Sequence, residues 1–478
     1  MLFNSISFAV FLPVVFLLYW FVTPQKMNFQ SIILLGASYF FYACWDYRFL
    51  FLLIFSTLLD YFTGLKIFYS KTARERKFWL WLSIFINVGF LGFFKYYNFF
   101  ADSFVNAVSN FGFHIDTWTL TIILPVGISF YTFHGLSYIL DIYNGKIKPE
   151  KNFINYSVFV SFFPLLVAGP IERATHLLPQ IREKRYFDYT QAVDGLKQIL
   201  WGLFKKIVIA DSCALYVNEF FGHSGSYSGS TLVVGVILFA FQIYCDFSGY
   251  SDIAIGTARF FGIKLKRNFA FPYFSRDIAE FWRRWHISLT SWFRDYLYIP
   301  LGGSKGNAWM KIRNTFIIFL VSGLWHGAKS TFIVWGTLNA IYFLPLLLLK
   351  RHRYHLDVVA QGKHFPTVRE LFKMLVTFGL VLFGWIFFRS ANVGEAITYI
   401  KGIFTSSLFT MPALKPVGLL IFLILFLLIE WSGREQQYGL AKIGFNRPRI
   451  LRWIIYYLII FAIIFSNSGV KPFIYFQF

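Results

Sequence analysis

The sequence predicts an all-α integral membrane protein. Of its 478 residues, 57% are hydrophobic and 14% are charged, whereas about 25% of the residues of a soluble domain are charged. Since most of the surface of a soluble protein must tolerate water, this composition excludes a soluble globular chain. The aromatic content of 22% also excludes a disordered one. The third observation is a series of apolar runs that are long enough to cross a hydrocarbon layer of about 30 Å as helices.

These apolar runs divide almost the whole chain, so we expect one membrane domain over 1–478 with roughly 11–13 transmembrane and re-entrant helices. The first run has neither a basic start nor a small-residue cleavage site, and we expect a retained helix there. The clear runs are 2–22, 30–46, 48–68, 78–98, 119–142, 195–217, 231–261, 333–350, 371–389, 413–431 and 451–467, and the less regular ones are 152–170 and 314–327.

The net charge of +22 comes from short basic clusters between the apolar runs. This is the pattern of cytoplasmic loops under the positive-inside rule, and it does not favour nucleic-acid binding. Counting from the basic cluster at 71–77 places both chain ends outside a plasma membrane. Basic residues flank 152–190 on both sides, so we expect the segment with Gly169-Pro170 to enter the membrane and return.

One histidine is predicted to lie deep in the membrane. Arg313 and Lys350 are both assigned to the cytoplasmic side, so the apolar runs between them form a hairpin. His326 follows Arg313 by 13 residues, which is about 20 Å of helix. An imidazole at that depth fits either a general base or a hydrogen-bonded link between helices.

A second motif runs from Phe281 to Tyr296. With about 100° between residues, its aromatic side chains share one face and Arg283, Arg284 and Arg294 share the other. This pattern predicts an amphipathic basic helix in the membrane interface, with His286 at the edge of the aromatic face. The arginines fit either anionic lipid headgroups or the phosphates of a cytoplasmic cofactor.

The apolar run 231–261 contains two carboxylates. Asp246 shares one face of the predicted helix with Gln242, and Asp252 shares another with Arg259. Carboxylates in such a run are costly unless they are paired or face a wet cavity. The sequence therefore favours an Asp252–Arg259 ion pair in a packed helix, with a functional cavity as the alternative.

The tail 468–478 is rich in aromatic residues and contains Phe473, Tyr475 and Phe478. Aromatic residues next to a span are typical of an interfacial anchor.

Several function classes leave no signature in this sequence. The three cysteines show neither a disulfide framework nor a zinc-binding spacing, so no metal is expected. No serine-hydrolase elbow, Walker A loop, metalloprotease motif or dinucleotide fingerprint occurs.

Four stretches resemble the membrane-bound O-acyltransferases, in particular their bacterial branch of alginate O-acetyltransferases and teichoic acid D-alanyltransferases. The similarity covers nearly the whole chain. The stretches are Arg284-Trp-His286-Ile-Ser-Leu with its continuation Trp292-Phe-Arg294-Asp295-Tyr296-Leu-Tyr-Ile-Pro300-Leu-Gly302-Gly303, then Gly323-Leu-Trp325-His326-Gly327, Asp246-Phe-Ser-Gly-Tyr-Ser-Asp-Ile-Ala-Ile-Gly256 and the opening Met1-Leu-Phe-Asn-Ser.

The resemblance implies a ring of helices around a central acyl-transfer tunnel, with the core motifs at 262–327. It implies that His326 is catalytic together with His286. In the D-alanyl transfer systems of this family, a separate small membrane peptide ends in a motif similar to the tail, and this resemblance implies that Tyr475 carries the acyl group. Arg283, Arg284 and Arg294 would then meet the donor, expected to be acetyl-CoA, with no tightly bound cofactor.

The expected function is therefore to move an acetyl group from the cytoplasm across the inner membrane for O-acetylation of a periplasmic or extracellular polysaccharide. The expected partner is the polysaccharide itself or a periplasmic SGNH-type acetyltransferase. Two other functions fit a chain of many spans. One is a transporter, which would favour paired repeats with broken helices, and the other is a scaffold of an exopolysaccharide export complex.

Overall fold

The structure is a computed structural model that describes residues 1–22, 27–109, 124–413, 416–443, 448–466, 471, 473 and 474. The described residues form helices and contain no strand, which confirms the all-α prediction. The first ten α-helices are α1 (Ile6–Leu17), α2 (Met27–Ala43), α3 (Tyr47–Tyr69), α4 (Ala73–Ser109), α5 (Ile128–Tyr143), α6 (Phe153–Ser161), α7 (Phe163–Leu166), α8 (Ala174–Arg182), α9 (Tyr189–Leu203) and α10 (Asp211–Gly222).

Nine further α-helices follow in the described part of the chain. They are α11 (Gly229–Phe260), α12 (Ile278–Arg284), α13 (Ile287–Phe293), α14 (Ala308–His326), α15 (Ser330–Leu348), α16 (Val368–Arg389), α17 (Val393–Ile403), α18 (Val417–Gly433) and α19 (Arg449–Phe465). Short π-helices cover Leu18–Val22, Phe204–Ala210 and Arg294–Tyr298, and 3₁₀ turns cover Ser224–Ser226, Pro272–Phe274 and Ser406–Phe409.

Five helices in the described residues are long and apolar enough to cross a membrane: Tyr47–Tyr69, Ala73–Val105, Gly229–Phe260, Ser330–Leu348 and Val368–Arg389. Two shorter apolar helices, Ile6–Val22 and Val417–Gly433, add to them. The chain is therefore a multi-pass membrane protein, as predicted. The number of spans and their orientation stay predictions.

The less regular apolar run 152–170, part of the segment expected to enter the membrane and return, forms two short helices. α6 ends at Ser161, and Phe162 leaves the helical conformation with a ψ of 112°. Pro164 lies in the first turn of α7, where its missing N–H is not needed. Helices of nine and four residues are too short to cross the hydrocarbon layer.

The chain divides into two compact units, and the first comprises 1–192 and 257–266. Its helices α3 and α4 enclose the buried carboxylate of Asp60. This carboxylate accepts hydrogen bonds from Ser83 Oγ at 2.7 Å and Asn87 Nδ2 at 2.8 Å. The donors offset the cost of a carboxylate among apolar helices.

A second buried carboxylate in this unit, Glu172, ties the returning segment 257–266 to α8. It accepts the backbone N–H of Lys266 at 2.6 Å and contacts His176 Nδ1 at 2.8 Å. Its own backbone N–H donates to His134 Nε2 at 3.1 Å.

The second unit comprises 193–256 and 267–478. Its predicted span 195–217 is α9 and α10 joined by the π-helix Phe204–Ala210. Its predicted hairpin is α14 packed against α15. Gly323 permits this packing, because a Cβ at that position would lie 2.3 Å from the carbonyl oxygen of Phe332. Both units contain helices long enough to span a membrane, and the single membrane domain over 1–478 stays a prediction.

Candidate functional site

A cavity of about 350 Å³ lies within the second unit. The helices α12 to α15, the π-helix Arg294–Tyr298 and the segment after α15 contribute its walls. A pocket of this volume with a mostly apolar wall and a few polar groups is typical of a small-molecule site. Its functional side chains include Trp282, His286, Arg294, Ser322, His326 and Arg353.

His286 lies at a break in the chain and not within a helix. α12 ends at Arg284, α13 begins at Ile287, and His286 between them has a left-handed backbone with φ of 42°. The prediction of one continuous helix over 281–296 is therefore wrong. Backbone hydrogen bonds to a neighbouring segment fix the break, because Ile287 N–H donates to the carbonyl of Asn268 at 2.8 Å.

The imidazole of His286 is 1% exposed. Among the described residues, neither of its ring nitrogens has a hydrogen-bond partner. The ring of Phe247 meets it edge-on with 4.6 Å between the ring centres. Burial lowers the pKa of His286 from its ordinary 6.5 to about 3, because an apolar environment disfavours the charged form. The imidazole is therefore neutral and carries one N–H and one lone pair.

His326 is the last residue of α14, at the turn of the predicted hairpin. Its side chain is 5% exposed and lies among aromatic rings. The ring centres of Phe388 and Trp335 lie 5.1 and 5.2 Å from its own. Trp325 contacts both histidines, with ring centres 4.8 Å from His326 and 5.8 Å from His286. The sequence thus predicted two of the three histidines that line this cavity, His286 and His326, although they lie 40 residues apart.

Arg283 and Arg284 bind the segment that follows α15. Arg283 donates to the carbonyl oxygens of His352 and His355, and Arg284 donates to that of Asp357. Arg283 also lines the cavity, whereas Arg284 lies outside its wall. Both guanidinium groups thus bind the backbone of the segment after α15 to α12.

Arg294 and Arg353 are more open than those two arginines. The side chain of Arg294 is 62% exposed and pairs with the adjacent Asp295 at 2.8 Å. Arg353 is exposed and lines the same cavity. Sequence reasoning selected Arg294 but missed Arg353, because the latter follows a long apolar helix and belongs to no motif.

Two buried lysines in the π-helix Phe204–Ala210 also escaped the sequence analysis. Lys205 contacts Asp252 at 2.5 Å, and Lys206 contacts Asp246 at 2.6 Å and Asp211 at 2.8 Å. The available signal was a pair of adjacent lysines inside the apolar run 195–217. Asp252 also accepts from Gln198 at 2.7 Å. Asp252 therefore binds Lys205 and the amide of Gln198 instead of the expected Arg259.

The C-terminal segment is described at three positions, and Tyr475 lies outside the described residues. The backbone N–H of Ile474 donates to Asp246 Oδ2 at 2.6 Å. Phe473 and Ile474 are buried, and Lys471 is half-buried. These contacts show that the last apolar residues before Tyr475 pack into the second unit.

No group of three histidine, cysteine, aspartate or glutamate side chains suited to a metal occurs in the part of the chain that the structure describes. The chemistry available at the cavity is that of three imidazoles, those of His286, His326 and His352, and a set of arginines. Imidazoles transfer protons to and from hydroxyl or thiol groups, and arginines bind phosphates.

Comparison with known proteins yields one family and several relatives. The model of the membrane-bound O-acyltransferase family matches residues 148–388. A peptidoglycan O-acetyltransferase of Helicobacter pylori is 38% identical over 84% of this chain and 79% of its own. A probable alginate O-acetylase of Pseudomonas aeruginosa is 37% identical over 92% of this chain and 82% of its own. A teichoic acid D-alanyltransferase of Bacillus subtilis is 27% identical over 55% of this chain and 68% of its own.

Proposed function

This chain belongs to the membrane-bound O-acyltransferase family, and we propose that it transfers acetyl groups from a cytoplasmic donor to a polysaccharide outside the inner membrane. The single observation that carries the proposal is a cavity lined by both His286 and His326. Relatives named as acetyl-transferring enzymes cover most of the chain and support acetyl as the group that is moved.

His326 and His286 have different roles in the reaction. His326 takes the proton of the attacking hydroxyl, whose oxygen then forms a bond with the thioester carbonyl carbon. The carbon–sulfur bond breaks, and the leaving thiolate takes the proton from the His326 imidazolium. The neutral ring of His286 donates its N–H to the carbonyl oxygen as negative charge develops there. Each turnover therefore converts a thioester and an alcohol into an ester and a thiol.

The donor is acetyl-CoA, used as a substrate and not held as a cofactor. Its phosphates meet Arg294 and Arg353, which are exposed and line the cavity. Guanidinium groups bind phosphate with paired hydrogen bonds. Arg283 and Arg284 contribute indirectly, because they hold the segment on which Arg353 lies.

Tyr475 is the first acceptor and carries the acetyl group outward. A phenol with an ordinary pKa near 10 is a poor nucleophile unless a base such as His326 removes its proton. The acetyl ester then passes to a polysaccharide hydroxyl, directly or through a periplasmic SGNH-type acetyltransferase, and the phenol regains its proton.

The first experiment replaces His326 by Ala. Purified protein is incubated with radiolabelled acetyl-CoA, and both acetyl-protein and released CoA are measured. We expect a loss of at least about 100-fold, the usual contribution of a positioned acid–base group. His223→Ala serves as the matched control, since its side chain is 66% exposed at the end of α10.

The outcomes separate the proposal from its rivals. A scaffold or transporter would keep polymer acetylation in cells after His326→Ala. A wild-type chain that fails to react with acetyl-CoA would exclude this donor. Tyr475→Phe keeps the ring and removes only the hydroxyl, so a carrier role predicts almost no acetyl-protein and an anchor role predicts a normal amount.

A further inference from the structure

The two buried lysine–aspartate pairs of the second unit have the same chemistry but different neighbours. Both link the π-helix Phe204–Ala210 to α11. The Lys205–Asp252 pair is completed by side chains of the helical core, since Asp252 also binds Gln198 and Lys205 also binds Ser248. The other pair, Lys206–Asp246, contacts the C-terminal segment.

Asp246 divides its two oxygens between a side chain and this segment. Oδ1 contacts Lys206 Nζ at 2.6 Å, and Oδ2 accepts the backbone N–H of Ile474 at 2.6 Å. Asp246 is 2% exposed. A buried carboxylate that accepts a backbone N–H forms a strong, directional hydrogen bond. Asp246 therefore fixes both the position and the register of the segment at Ile474.

Two more contacts hold the same segment. Lys471 Nζ donates to the carbonyl oxygen of Asp211, whose carboxylate pairs with Lys206. The ring of Phe473 lies 4.9 Å from that of Tyr250, measured between ring centres. Three contacts of different kinds thus hold the segment: a side-chain hydrogen bond of Lys471, a ring contact of Phe473 and a backbone hydrogen bond of Ile474.

These contacts lie one aromatic ring away from the candidate site. Phe247 is next to Asp246 in α11, and its ring centre lies 5.6 Å from that of Phe473 and 4.6 Å from that of His286. Phe247 therefore separates the held segment from the buried imidazole by a single side chain.

We propose that Lys206, Asp211, Asp246, Phe247 and Tyr250 form a C-terminal seat that positions the acyl-carrying tail for transfer. The inference rests on the proposed role of Tyr475, which is bonded directly to Ile474. Asp246 is a positioning residue in this scheme. The buried charges of the seat hold a backbone group of the tail, whereas those of Lys205–Asp252 hold the helices together.

The experiment compares Asp246→Ala with Asp252→Ala in the full-length chain. Hydrogen–deuterium exchange of the 471–478 peptide reports docking of the tail, and acetyl transfer from acetyl-CoA reports activity. We expect Asp246→Ala to raise exchange at Ile474 and to lower acetyl transfer, each by about tenfold or more, as expected for loss of a hydrogen bond to a charged group.

Asp252→Ala is the matched control. It removes a carboxylate from the same helix and leaves Lys205 with the hydroxyl of Ser248, so it lowers thermal stability at least as much. We expect exchange of the tail to stay at the wild-type rate. Asp246→Ala leaves Lys206 paired with Asp211, which favours a folded variant.

A second variant, Phe473→Ala, leaves every ion pair of the seat intact and removes only its apolar contact. Faster tail exchange in both Asp246→Ala and Phe473→Ala supports the seat. Unchanged exchange in folded Asp246→Ala overturns it, whatever the activity. Faster exchange with full acetyl transfer keeps the seat but contradicts the carrier role of Tyr475.

Discussion

The two predicted histidines of the cavity differ in how the chain holds them. His326 ends a regular helix of 19 residues, with aromatic rings on several sides. His286 lies between two helices of seven residues each, with a left-handed backbone. Among the described residues, both of its ring nitrogens are without a hydrogen-bond partner. The same side chain in the same cavity thus occurs once at the end of a regular helix and once on a left-handed backbone.

This difference shows which kind of information identifies each residue. A left-handed backbone costs a non-glycine residue of order 1–2 kcal/mol, and an unpaired buried polar group costs about 1–3 kcal/mol. A fold retains such costs mainly where function requires them. Both histidines stand out by their sequence motifs, and His286 stands out by its backbone geometry as well.

The largest expected effect follows from replacing His286. We expect His286→Gly and His286→Ala each to lower acetyl transfer by about 100-fold or more, because both remove the N–H that stabilises the carbonyl oxygen. Steady-state assays with acetyl-CoA measure this loss.

The same pair of variants separates catalysis from backbone strain. Glycine accepts a φ of 42° without strain and alanine does not. We expect the glycine variant to be the more stable of the two by about 0.4–1 kcal/mol. Near-normal activity in either variant would remove His286 from the reaction and leave it as a structural turn.

A smaller effect is expected at the arginines. Arg294 and Arg353 are exposed, whereas Arg284 is bound to other groups of the protein. Arg294→Gln and Arg353→Gln should each raise the KM for acetyl-CoA by about tenfold with little change in kcat, because they weaken ground-state binding of phosphates. Arg284→Gln should mainly lower thermal stability, since Arg284 binds Glu280 and the carbonyl of Asp357.

The KM and kcat of the three arginine variants, measured side by side with their melting temperatures, test this division. If Arg284→Gln changes KM more than Arg294→Gln does, the arginine that contacts the donor is misassigned.

The sequence predicted the helical membrane fold and both histidines, because these follow from composition, apolar runs and contiguous motifs. It did not predict the break at His286, since a spacing of about 100° per residue does not reveal a single left-handed residue. It also did not predict the lysine pairs. Lys205 pairs with Asp252 and Lys206 pairs with Asp246, 47 and 40 residues further along the chain, and contacts at such distances depend on how the helices pack.

The smallest expected effect is the pH-dependent loss of stability that His286 contributes. Burial holds the pKa of its folded form at about 3, whereas an unfolded histidine titrates near 6.5. Above about pH 6.5 both states are neutral and the residue contributes no pH dependence. As the pH falls below that value, the unfolded chain binds a proton that the folded chain does not bind. The folded state therefore loses up to about 1.4 kcal/mol per pH unit until the folded pKa is reached.

Other titrating groups are common to the wild type and His286→Gln, so their effects cancel in the difference between the two. We expect the melting temperature in detergent to fall between pH 7 and pH 5 by a few degrees more in the wild type than in His286→Gln. Parallel curves over this range would mean that water or a polar group reaches the imidazole and that its nitrogens are not held apart from solvent for the substrate.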